Sequence, residues 1–529
     1  MAAIVYQTNK KTGITYAYES ISHWDKEKQQ SRAKRKCIGK VDPITKEIIP
    51  THKKRLDAKS QMSISESKRS FYGATLLFDK IGEKIGLTDD LKNCFPDTYK
   101  QILSIAYYLI LEDRNSLSRF GKWAATHKHP HGENISSQRS SEIFASISND
   151  SKERFFYKQG KRRAEKEFWA YDTTSISSYS KCLSQVKYGI NKDHDPLQQI
   201  NLAMLFGETS GLPFYYRKLA GNITDVKTVK SLLRDMAAYG FRKVKLVMDR
   251  GFYSEANVNF LYKDHKKFLM GTKNNLIWIQ NEIKKIKNTI NSWENYIEQY
   301  DIYAQTTALK WEYKEKRPIK KDTLKKSKRM YLHIYYNKGK KADAEIKFHK
   351  KIIKLKRELE SGKRNSKHEK QYTKYFKISK TAKKGIVVTV KNDAILKEES
   401  NFGYFTLISN DVKDATTALE IYRNKDLVEK GFNDLKGRLD FRKPGVSSDL
   451  SIDGKLFVEF IALIFLSYIK KQMQEKEMFS NYTMQEVLDE LDIIECFKRP
   501  KHKLYIGEVT KRQINLFEDM DIAFPTSLH

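Results

Sequence analysis

The run IYRNKDLVEKGFNDLKGRL (residues 421–439) places four chemically different side chains at helical spacing. They are Tyr422, Lys425, Glu429 and Lys436, separated by three, four and seven positions. At about 100° per residue, all four fall in a stripe roughly 60° wide, beside an apolar stripe. The pattern predicts a helix that docks by its apolar face and presents a carboxylate flanked by two cations and a phenol. Such an edge is typical of a site for an anion that also needs a metal.

The chain carries a large excess of positive charge. Its 529 residues include 99 Lys and Arg against 65 Asp and Glu, which gives a formal net charge of +34. Such an excess supplies the sequence-independent part of nucleic-acid affinity through the release of counterions. Two alternatives remain open: a lysine-rich coding bias that inflates the charge, and a membrane surface as the partner. The second is weaker, because the sequence has no basic amphipathic anchor and no lipidation signal.

Several absences narrow the class of protein further. The cysteines are few and form no CxxC pair, which argues against structural zinc and a disulfide framework. The longest apolar run, 456–469, contains Glu459 and is too short to span a bilayer, so it predicts a buried helix. The N-terminus lacks the hydrophobic core of a signal peptide, and no phosphate-cradling glycine loop implies ATP. We therefore expect a cytoplasmic protein that uses neither a membrane nor ATP.

The order of residue patterns predicts an α/β protein with several domains. Residues 156–275 follow the order strand, hairpin, helix, strand, helix, strand, as expected of a mixed sheet with helices packed on it. For the preceding helices, a helix-turn-helix and a helical bundle of any other purpose are equally compatible. The predicted segments are a small N-terminal β module (1–60), a helical DNA-binding region (61–155), the first part of the core (156–275), an α+β insertion subdomain (276–400), the second part of the core with the Glu429 helix (401–445) and a C-terminal helical region (446–529).

Two aspartates stand where strand patterns would expose them. Asp172 interrupts the β-prone run FWAYDTTSISSYS, and Asp249 follows the apolar run VKLVM and precedes Arg250. Either aspartate alone would most often cap a turn. Together with Glu429, they predict a site in which carboxylates from two strands and a helix hold two Mg²⁺ ions roughly 3.5–4 Å apart. We expect that Mn²⁺ can substitute for Mg²⁺.

The side chains around these carboxylates suit a nucleic-acid substrate. One ion would activate the attacking oxygen, and the other would stabilise the leaving oxygen of an in-line phosphoryl displacement. Lys425, Lys436 and Arg250 are the candidates to hold the phosphates of double-stranded DNA. Tyr422 would pack against a base or a sugar.

In these motifs the chain resembles the DDE transposases of bacterial insertion sequences, in the branch marked by Tyr-x2-Arg-x3-Glu-x6-Lys around the third carboxylate. The resemblance is carried by YDTTS with Asp172, by VMDRGFYS with Asp249, and by the spacing of Tyr422, Glu429 and Lys436. The run GLPFYYRKLAGNITDVKT and the stretch from CIGKVD to FYGATLLFDKIGEKIGL support it. The resemblance implies a ribonuclease-H-like core with an insertion between the second Asp and the Glu.

The resemblance also implies an activity. Such an enzyme binds the terminal inverted repeats of its element, cleaves the DNA ends and joins the 3′ ends to target DNA, as a homodimer that holds two ends. One departure concerns Lys425, which stands where the family has Arg and so loses a bidentate phosphate contact. Two alternatives from other classes are a catalytically silent DNA-binding regulator and a metal-dependent nuclease without strand transfer. The intact set of three carboxylates argues against the regulator.

Two further clusters have less specific explanations. The run HKHPHGE (residues 127–133) could bind a transition metal, but its proline and glycine favour a solvated loop. Trp278, Trp293 and Trp311 could each stack on a base flipped out of the duplex. Packing in the core is the more common role of a tryptophan, and we expect it for all three.

Overall fold

The computed structural model describes residues 2–525, except for 11, 26–28, 44, 50–67, 113–115, 165, 178–185, 190–191, 193–194, 317–322, 382–384, 440–448 and 499–502. The chain divides into two compact units. One comprises Met1–Ser70, Glu495–Glu508 and Pro525–His529, and the other comprises Phe71–Ile494 and Val509–Phe524.

The chain forms strands and helices in the following order. The strands are β1 (Ala2–Thr8), β2 (Thr15–Asp25), β3 (Gln30–Val41), β4 (Ile48–Ile49), β5 (Lys68–Phe71), β6 (Trp169–Ser177), β7 (Gln199–Gly207), β8 (Pro213–Ala220), β9 (Lys245–Met248), β10 (Lys267–Thr272), β11 (Tyr296–Ile297), β12 (Ile302–Lys316), β13 (Thr323–Tyr336), β14 (Phe376–Thr381), β15 (Gly385–Val390), β16 (Tyr404–Ser409), β17 (Glu495–Lys498) and β18 (Tyr505–Ile506). The helices are α1 (Gly73–Lys84), α2 (Leu87–Cys94), α3 (Tyr99–Leu111), α4 (Phe120–Thr126), α5 (Ser137–Ser146), α6 (Asn149–Arg163), α7 (Asp225–Ala238), α8 (Glu255–Lys263), α9 (Ile277–Ile286), α10 (Lys338–Glu360), α11 (Glu369–Tyr375), α12 (Asn392–Glu399), α13 (Ala415–Asn424), α14 (Asp426–Asn433), α15 (Asp449–Glu475), α16 (Met484–Asp492) and α17 (Lys511–Asp519).

The smaller unit is built from antiparallel strands. Strands β1 to β4 form one sheet in chain order, as the alternating runs near the N-terminus predicted. A second sheet has the order β18-β17-β5. Arg69 of β5 and Glu495 of β17 form a two-pronged ion pair with N–O distances of 2.5 Å.

The larger unit is organised around a mixed sheet of the order β11-β12-β13-β16-β10-β9-β6-β7-β8. Strand β9 pairs in parallel with both β6 and β10, and the other pairings are antiparallel. Every residue of β6 and β7 is buried, because both are interior strands of the sheet and helices pack on it. The predicted hairpin, helices and strands of residues 156–275 are present, and the mixed α/β class is confirmed.

The longest helix, α15, is apolar on all sides and fully buried over most of its length. It packs on α3, α5 and β8, which confirms the buried helix expected from the run 456–469. A Cβ on Gly454 would lie 2.0 Å from the carbonyl oxygen of Phe144, so only glycine permits this approach of α5. Among the described helices, none has the length and the apolar character that crossing a membrane requires.

Two of the three histidines of the run 127–133 are buried, so the expectation of a solvated loop is wrong for them. His127 and His129 are both buried, and the His127 ring stacks on Trp123 with centroids 4.8 Å apart. The Nε2 atom of His127 lies 2.9 Å from a carboxylate oxygen of Asp492. Their alternating spacing directs both rings inward, against an aromatic cluster that offers them packing partners.

The stretch 276–400 contributes to two different structures. Strands β12 and β13 extend the central sheet, with β13 paired to β16. Helices α10 and α11 and strand β14 instead form a small core of their own, with side chains of β15 and α12 packed against it. The domain boundaries drawn from the sequence stay a prediction.

Of the three tryptophans expected in the core, one is on the surface. Trp293 is 82% exposed, so the expectation of core packing is wrong for this residue. Trp278 and Trp311 are partly buried and contact each other edge to face, with centroids 5.9 Å apart.

Candidate active site

The pairing of β6 with β9 brings two of the predicted carboxylates side by side. The two strands run parallel, with Tyr171 opposite Met248, so that the next residues in register are Asp172 and Asp249. Neighbouring strands are about 4.8 Å apart. Both aspartates therefore lie at the same edge of the sheet, although 77 positions separate them along the chain.

Asp172 is a buried carboxylate with only partial compensation of its charge. Its Oδ1 atom accepts a hydrogen bond of 2.7 Å from the backbone N–H of Thr173 and lies 3.6 Å from Nζ of Lys192. Burial raises the pKa of Asp172, and the negative charge of Asp249 raises it further. The charges of Lys192 and Lys425 and the hydrogen bond from the Thr173 N–H lower this pKa. The net pKa is above the ordinary value. A further cation beside Asp172 would relieve this cost.

The pKa of Asp249 is shifted in the opposite direction, and a direct hydrogen bond contributes to this shift. The Tyr422 hydroxyl donates to its Oδ1 atom at 2.6 Å. Burial alone would raise the pKa of Asp249, but Tyr422, the backbone N–H of Arg250, Lys425 and the Arg250 side chain outweigh burial and lower it. The approach of Tyr422 requires a glycine on β10, since a Cβ on Gly271 would lie 2.7 Å from the Tyr422 hydroxyl oxygen.

We expect Tyr422→Phe to lower the melting temperature of the metal-free protein in a pH-dependent way. A carboxyl with a lowered pKa in the folded state stabilises the fold above its unfolded pKa, and this contribution disappears as the pH falls through the folded pKa. The Tyr422 hydroxyl helps to lower the pKa of Asp249 from its ordinary value of 3.8. The deficit in melting temperature should therefore be full at pH 7 and should shrink as the pH falls below about 4.

The matched control is Tyr335→Phe, because the Tyr335 hydroxyl donates to the backbone oxygen of Ala415 at 2.7 Å rather than to an acid. Its deficit should not vary with pH in this way. Equal pH profiles for the two variants, measured by differential scanning fluorimetry, would contradict the coupling of Tyr422 to Asp249.

The run 421–439 is not one uniform helix, so the expectation of a single helix is wrong, although Lys425 does lie beside Tyr422 and Glu429. Helix α13 ends at Asn424, α14 begins after Lys425, and residues Asp434–Arg438 form a π-helical turn. A π turn has more residues per turn than an α-helix, so a constant angle of 100° per residue no longer applies. The consequence is that the four predicted side chains have different environments.

Lys425 is a buried cation close to all three predicted carboxylates. Only 2% of Lys425 is exposed, and its Nζ atom lies 3.3 Å from a carboxylate oxygen of Glu429. The same ammonium lies 5.6 Å from the centroid of the Tyr422 ring. Its charge also lowers the pKa of both Asp172 and Asp249. Lys425 therefore links the helix that carries Glu429 electrostatically to Asp172 on β6 and to Asp249 after β9.

Glu429 stands apart from the aspartate pair. Its side chain is 58% exposed and is paired with Lys425. Helix α14 itself lies against β6 and β7, and Gly431 allows the close contact, since a Cβ there would lie 2.4 Å from the ring of Phe206. Within the described part of the chain, no three Asp, Glu, His or Cys side chains form a group that could hold a metal ion.

Of the two remaining predicted residues, one is exposed and the other is buried. Arg250 is exposed at the edge of a cavity beside Asp249. Lys436, in the π-helical turn, is buried, with 7% of its surface exposed. Arg250 is thus open to a ligand from the solvent, whereas Lys425 and Lys436 are not at the outer surface.

Several residues around Asp172 were not anticipated. The Thr173 hydroxyl donates to Asp225 Oδ1 at 2.5 Å, and Lys192 Nζ lies 2.9 Å from the Thr173 hydroxyl and 3.3 Å from an Asp225 oxygen. Asp225 begins α7. Gly271 did carry a signal, because a glycine inside a strand often marks a close approach of another group. Lys192 carried none, since nothing in its sequence context relates it to Asp172.

The donor set formed by Asp172 on β6 and Asp249 after β9 fits a hard divalent cation. Carboxylate oxygens are the ligands that Mg²⁺ and Mn²⁺ prefer, and Asp172 is buried with its negative charge incompletely balanced. Asp172 and Asp249 fit such an ion by their chemistry and by their neighbouring positions on β6 and after β9. Glu429 fits by chemistry, but its carboxylate is paired with Lys425.

The sequence that carries these residues matches a known protein family. The sequence profile described as transposase DDE domain matches residues 163–465, a span that includes Asp172, Asp249 and Glu429. A cryo-EM structure of the piggyBac transposase synaptic complex with hairpin DNA is similar over 78% of this chain and 70% of that chain, with 10% identity and a TM-score of 0.33. No curated protein matches the chain. Because the profile covers more than half of the sequence, the chain belongs to the transposase DDE domain family.

Proposed function

We propose that this DNA transposase binds the terminal inverted repeats of its element, cleaves the DNA ends and joins the freed 3′ ends to target DNA. The observation that carries the proposal is the parallel pairing of β6 with β9, which puts Asp172 beside Asp249 in a chain of this family. The Tyr422 hydrogen bond to Asp249 connects this pair to the helical region that bears Glu429. A ribonuclease-H-like core, with the mixed sheet as its centre, is part of the same proposal.

The proposed cofactor is Mg²⁺, with Mn²⁺ as a substitute. Asp172, Asp249 and Glu429 would hold it, with Glu429 released from Lys425. When bound, divalent ions supply the activation of an attacking oxygen and the stabilisation of a leaving oxygen in phosphoryl displacement. Tyr422 orients the Asp249 carboxylate and keeps it ionised, because its hydroxyl donates to that group. No side chain is required as the nucleophile, since water and then the 3′-hydroxyl attack the phosphate.

The proposed substrate is double-stranded DNA, bound by a homodimer that holds two ends. The net charge of +34 supports binding to a polyanion. Arg250 is exposed and can contact a phosphate from the solvent side. Lys425 and Lys436 are buried, so a phosphate would meet them only inside the site and not on the outer surface.

The test is an incubation of the full chain with end-sequence DNA, Mg²⁺ and a target plasmid. Short inverted repeats in the DNA that flanks the gene supply the end sequence. We expect joined products with Mg²⁺ or Mn²⁺, and none in the presence of EDTA, because the carboxylates alone provide no activated oxygen. Gel electrophoresis separates the products. Cleavage without joining would instead identify a nuclease, and binding without cleavage would identify a regulator.

A further inference from the structure

Two adjoining cavities lead away from the candidate active site. The first has a volume of about 630 Å³ and is lined by Asp249 and Tyr422 at one end and by Asn274 and Asn275 at the other. The second also has about 630 Å³ and shares Asn274 and Asn275 with the first. Because they share these two residues the cavities adjoin, and we call the pair, which extends from Asp249 to helices α11 and α12, the strand trough.

The floor of the strand trough is fixed by hydrogen bonds between β10, the residues after it, and β16. The hydroxyls of Thr272 and Thr406 are 2.6 Å apart, and the Thr406 hydroxyl is 3.1 Å from Asn274 Oδ1. The Asn274 amide donates to the backbone oxygen of Tyr404 at 2.5 Å. These polar groups satisfy one another, so the floor is preorganised. Asn275 is exposed, and its amide is turned toward no partner within the described chain.

Cations lie at both ends of the strand trough. Arg250 and Lys273 line the first cavity, and Lys374 and Lys397 line the second. Lys374 is paired with Glu398 at 2.5 Å. Arg250, Lys273 and Lys397 are exposed, and among the described residues no carboxylate forms an ion pair with them. Positive charge is therefore available at two separated points along one polar channel.

The size and the walls of the strand trough select a narrow ligand. Cavities of about 300–1,000 Å³ hold a ligand of drug size, which corresponds to one or two nucleotides each. Aromatic side chains line both cavities, Tyr404 in the first and Phe402 in the second. Aromatic rings beside a cationic groove are the common means of binding unpaired nucleotides.

We propose that the strand trough binds an unpaired segment of the DNA strand that carries the scissile phosphate, with phosphates at Arg250, Lys273 and Lys397 and bases against Tyr404 and Phe402. This inference rests on the proposed function, because it assumes that the phosphate beside Asp249 belongs to DNA. The strand would run from Asp249 across Asn275 to α12. The trough thus makes the unpaired flank, rather than the duplex alone, part of what the protein recognises.

The experiment compares two fluorescent DNA probes in EDTA at physiological salt. One is a blunt duplex of about 25 base pairs, and the other is the same duplex with an unpaired extension of roughly four nucleotides at one end. Fluorescence anisotropy gives the dissociation constant of each. We expect the extended probe to bind the wild-type chain about tenfold more tightly than the blunt probe, because stacking and phosphate contacts are added.

The variant that tests the trough is Lys273→Glu with Lys397→Glu, and the matched control is Lys351→Glu with Lys354→Glu. Both control lysines are exposed on α10 and line neither cavity. In the trough variant, the ratio of the dissociation constants of the blunt and the extended probe should fall close to one. In the control variant, the affinity for both probes should fall equally, so that this ratio is unchanged. Absence of a preference in the wild type, or an equal loss of it in the control, overturns the inference.

Because EDTA removes divalent metal ions from the binding assay, the measured dissociation constants do not depend on DNA cleavage. If the protein binds the extended probe more tightly but cleaves no DNA end with Mg²⁺, the proposed function is rejected and the proposed binding of unpaired DNA in the trough is not. Crosslinking from a 4-thiothymidine in the extension should then still map to residues 272–275 and 397–404. Crosslinks confined to other parts of the chain would reject the trough.

Discussion

Glu429→Gln is expected to lower the rate of DNA-end cleavage by about a thousandfold or more, while binding of the end DNA is retained. The substitution keeps the size of the side chain and removes the negative charge that a third metal-binding carboxylate needs. Glu429 is the most informative of the three carboxylates to change, because it is paired with Lys425 and is 58% exposed rather than packed beside the two aspartates. Single-turnover cleavage of labelled end DNA measures the rate, and anisotropy measures binding.

The control for this variant is Glu420→Gln, which removes the same charge from an exposed residue of α13. Its cleavage rate should stay within about twofold of the wild type, as expected of surface substitutions away from a site. If the Glu429→Gln variant cleaved DNA ends at the wild-type rate, Glu429 would not be a catalytic residue, and Asp172 and Asp249 would lack a third carboxylate.

Gly271→Ala is expected to reduce cleavage by about tenfold to a hundredfold, although Gly271 has no functional group. The added methyl group would lie 2.7 Å from the Tyr422 hydroxyl oxygen and 3.0 Å from the backbone nitrogen of Arg250. The first distance is too short for a Cβ and the second is tight, so Tyr422 must move and its hydrogen bond to Asp249 must lengthen or break. The same single-turnover assay measures the effect.

A double-mutant cycle with Tyr422→Phe separates this cause from general damage to the sheet. Without the hydroxyl there is more room, so Gly271→Ala should cost less in the Tyr422→Phe background than in the wild type. Gly437→Ala is the control, because a Cβ at Gly437 meets no atom within 4 Å. Strictly additive effects of the two substitutions would show that Gly271 acts by some route other than Tyr422.

The local elements of the core were predictable, but the contacts between them were only partly so. Alternation and turn residues located β6 to β10 and the helices α7 and α8, because these segments have strong and separate patterns. The apolar run before Asp249 predicted that this residue follows a strand, which is confirmed, whereas Asp172 lies inside β6 and does not interrupt it. That β6 and β9 are neighbours does not follow from either run, since β7, β8 and α7 lie between them along the chain. Strand order depends on the whole sheet.

The region around Glu429 shows why the rest of the site could not be predicted. Helical spacing assumed one uniform helix, whereas the chain changes at Lys425 and again at the π turn. From the sequence, Lys425 was expected to be a phosphate-binding cation on a helix face. In the fold, Lys425 is buried near carboxylates that come from distant positions of the chain. Burial of a charge depends on partners that only the folded chain assembles.

The pairing of β13 with β16 has a consequence for shortened forms of the protein. Strand β16 lies between β13 and β10, so excising residues 276–400 would remove one of its two neighbours. The bare backbone donors and acceptors of β16 would then be open to another copy of the chain, which favours aggregation. A minimal catalytic fragment should therefore keep β12 and β13 and dispense only with the small core of α10, α11, β14 and β15.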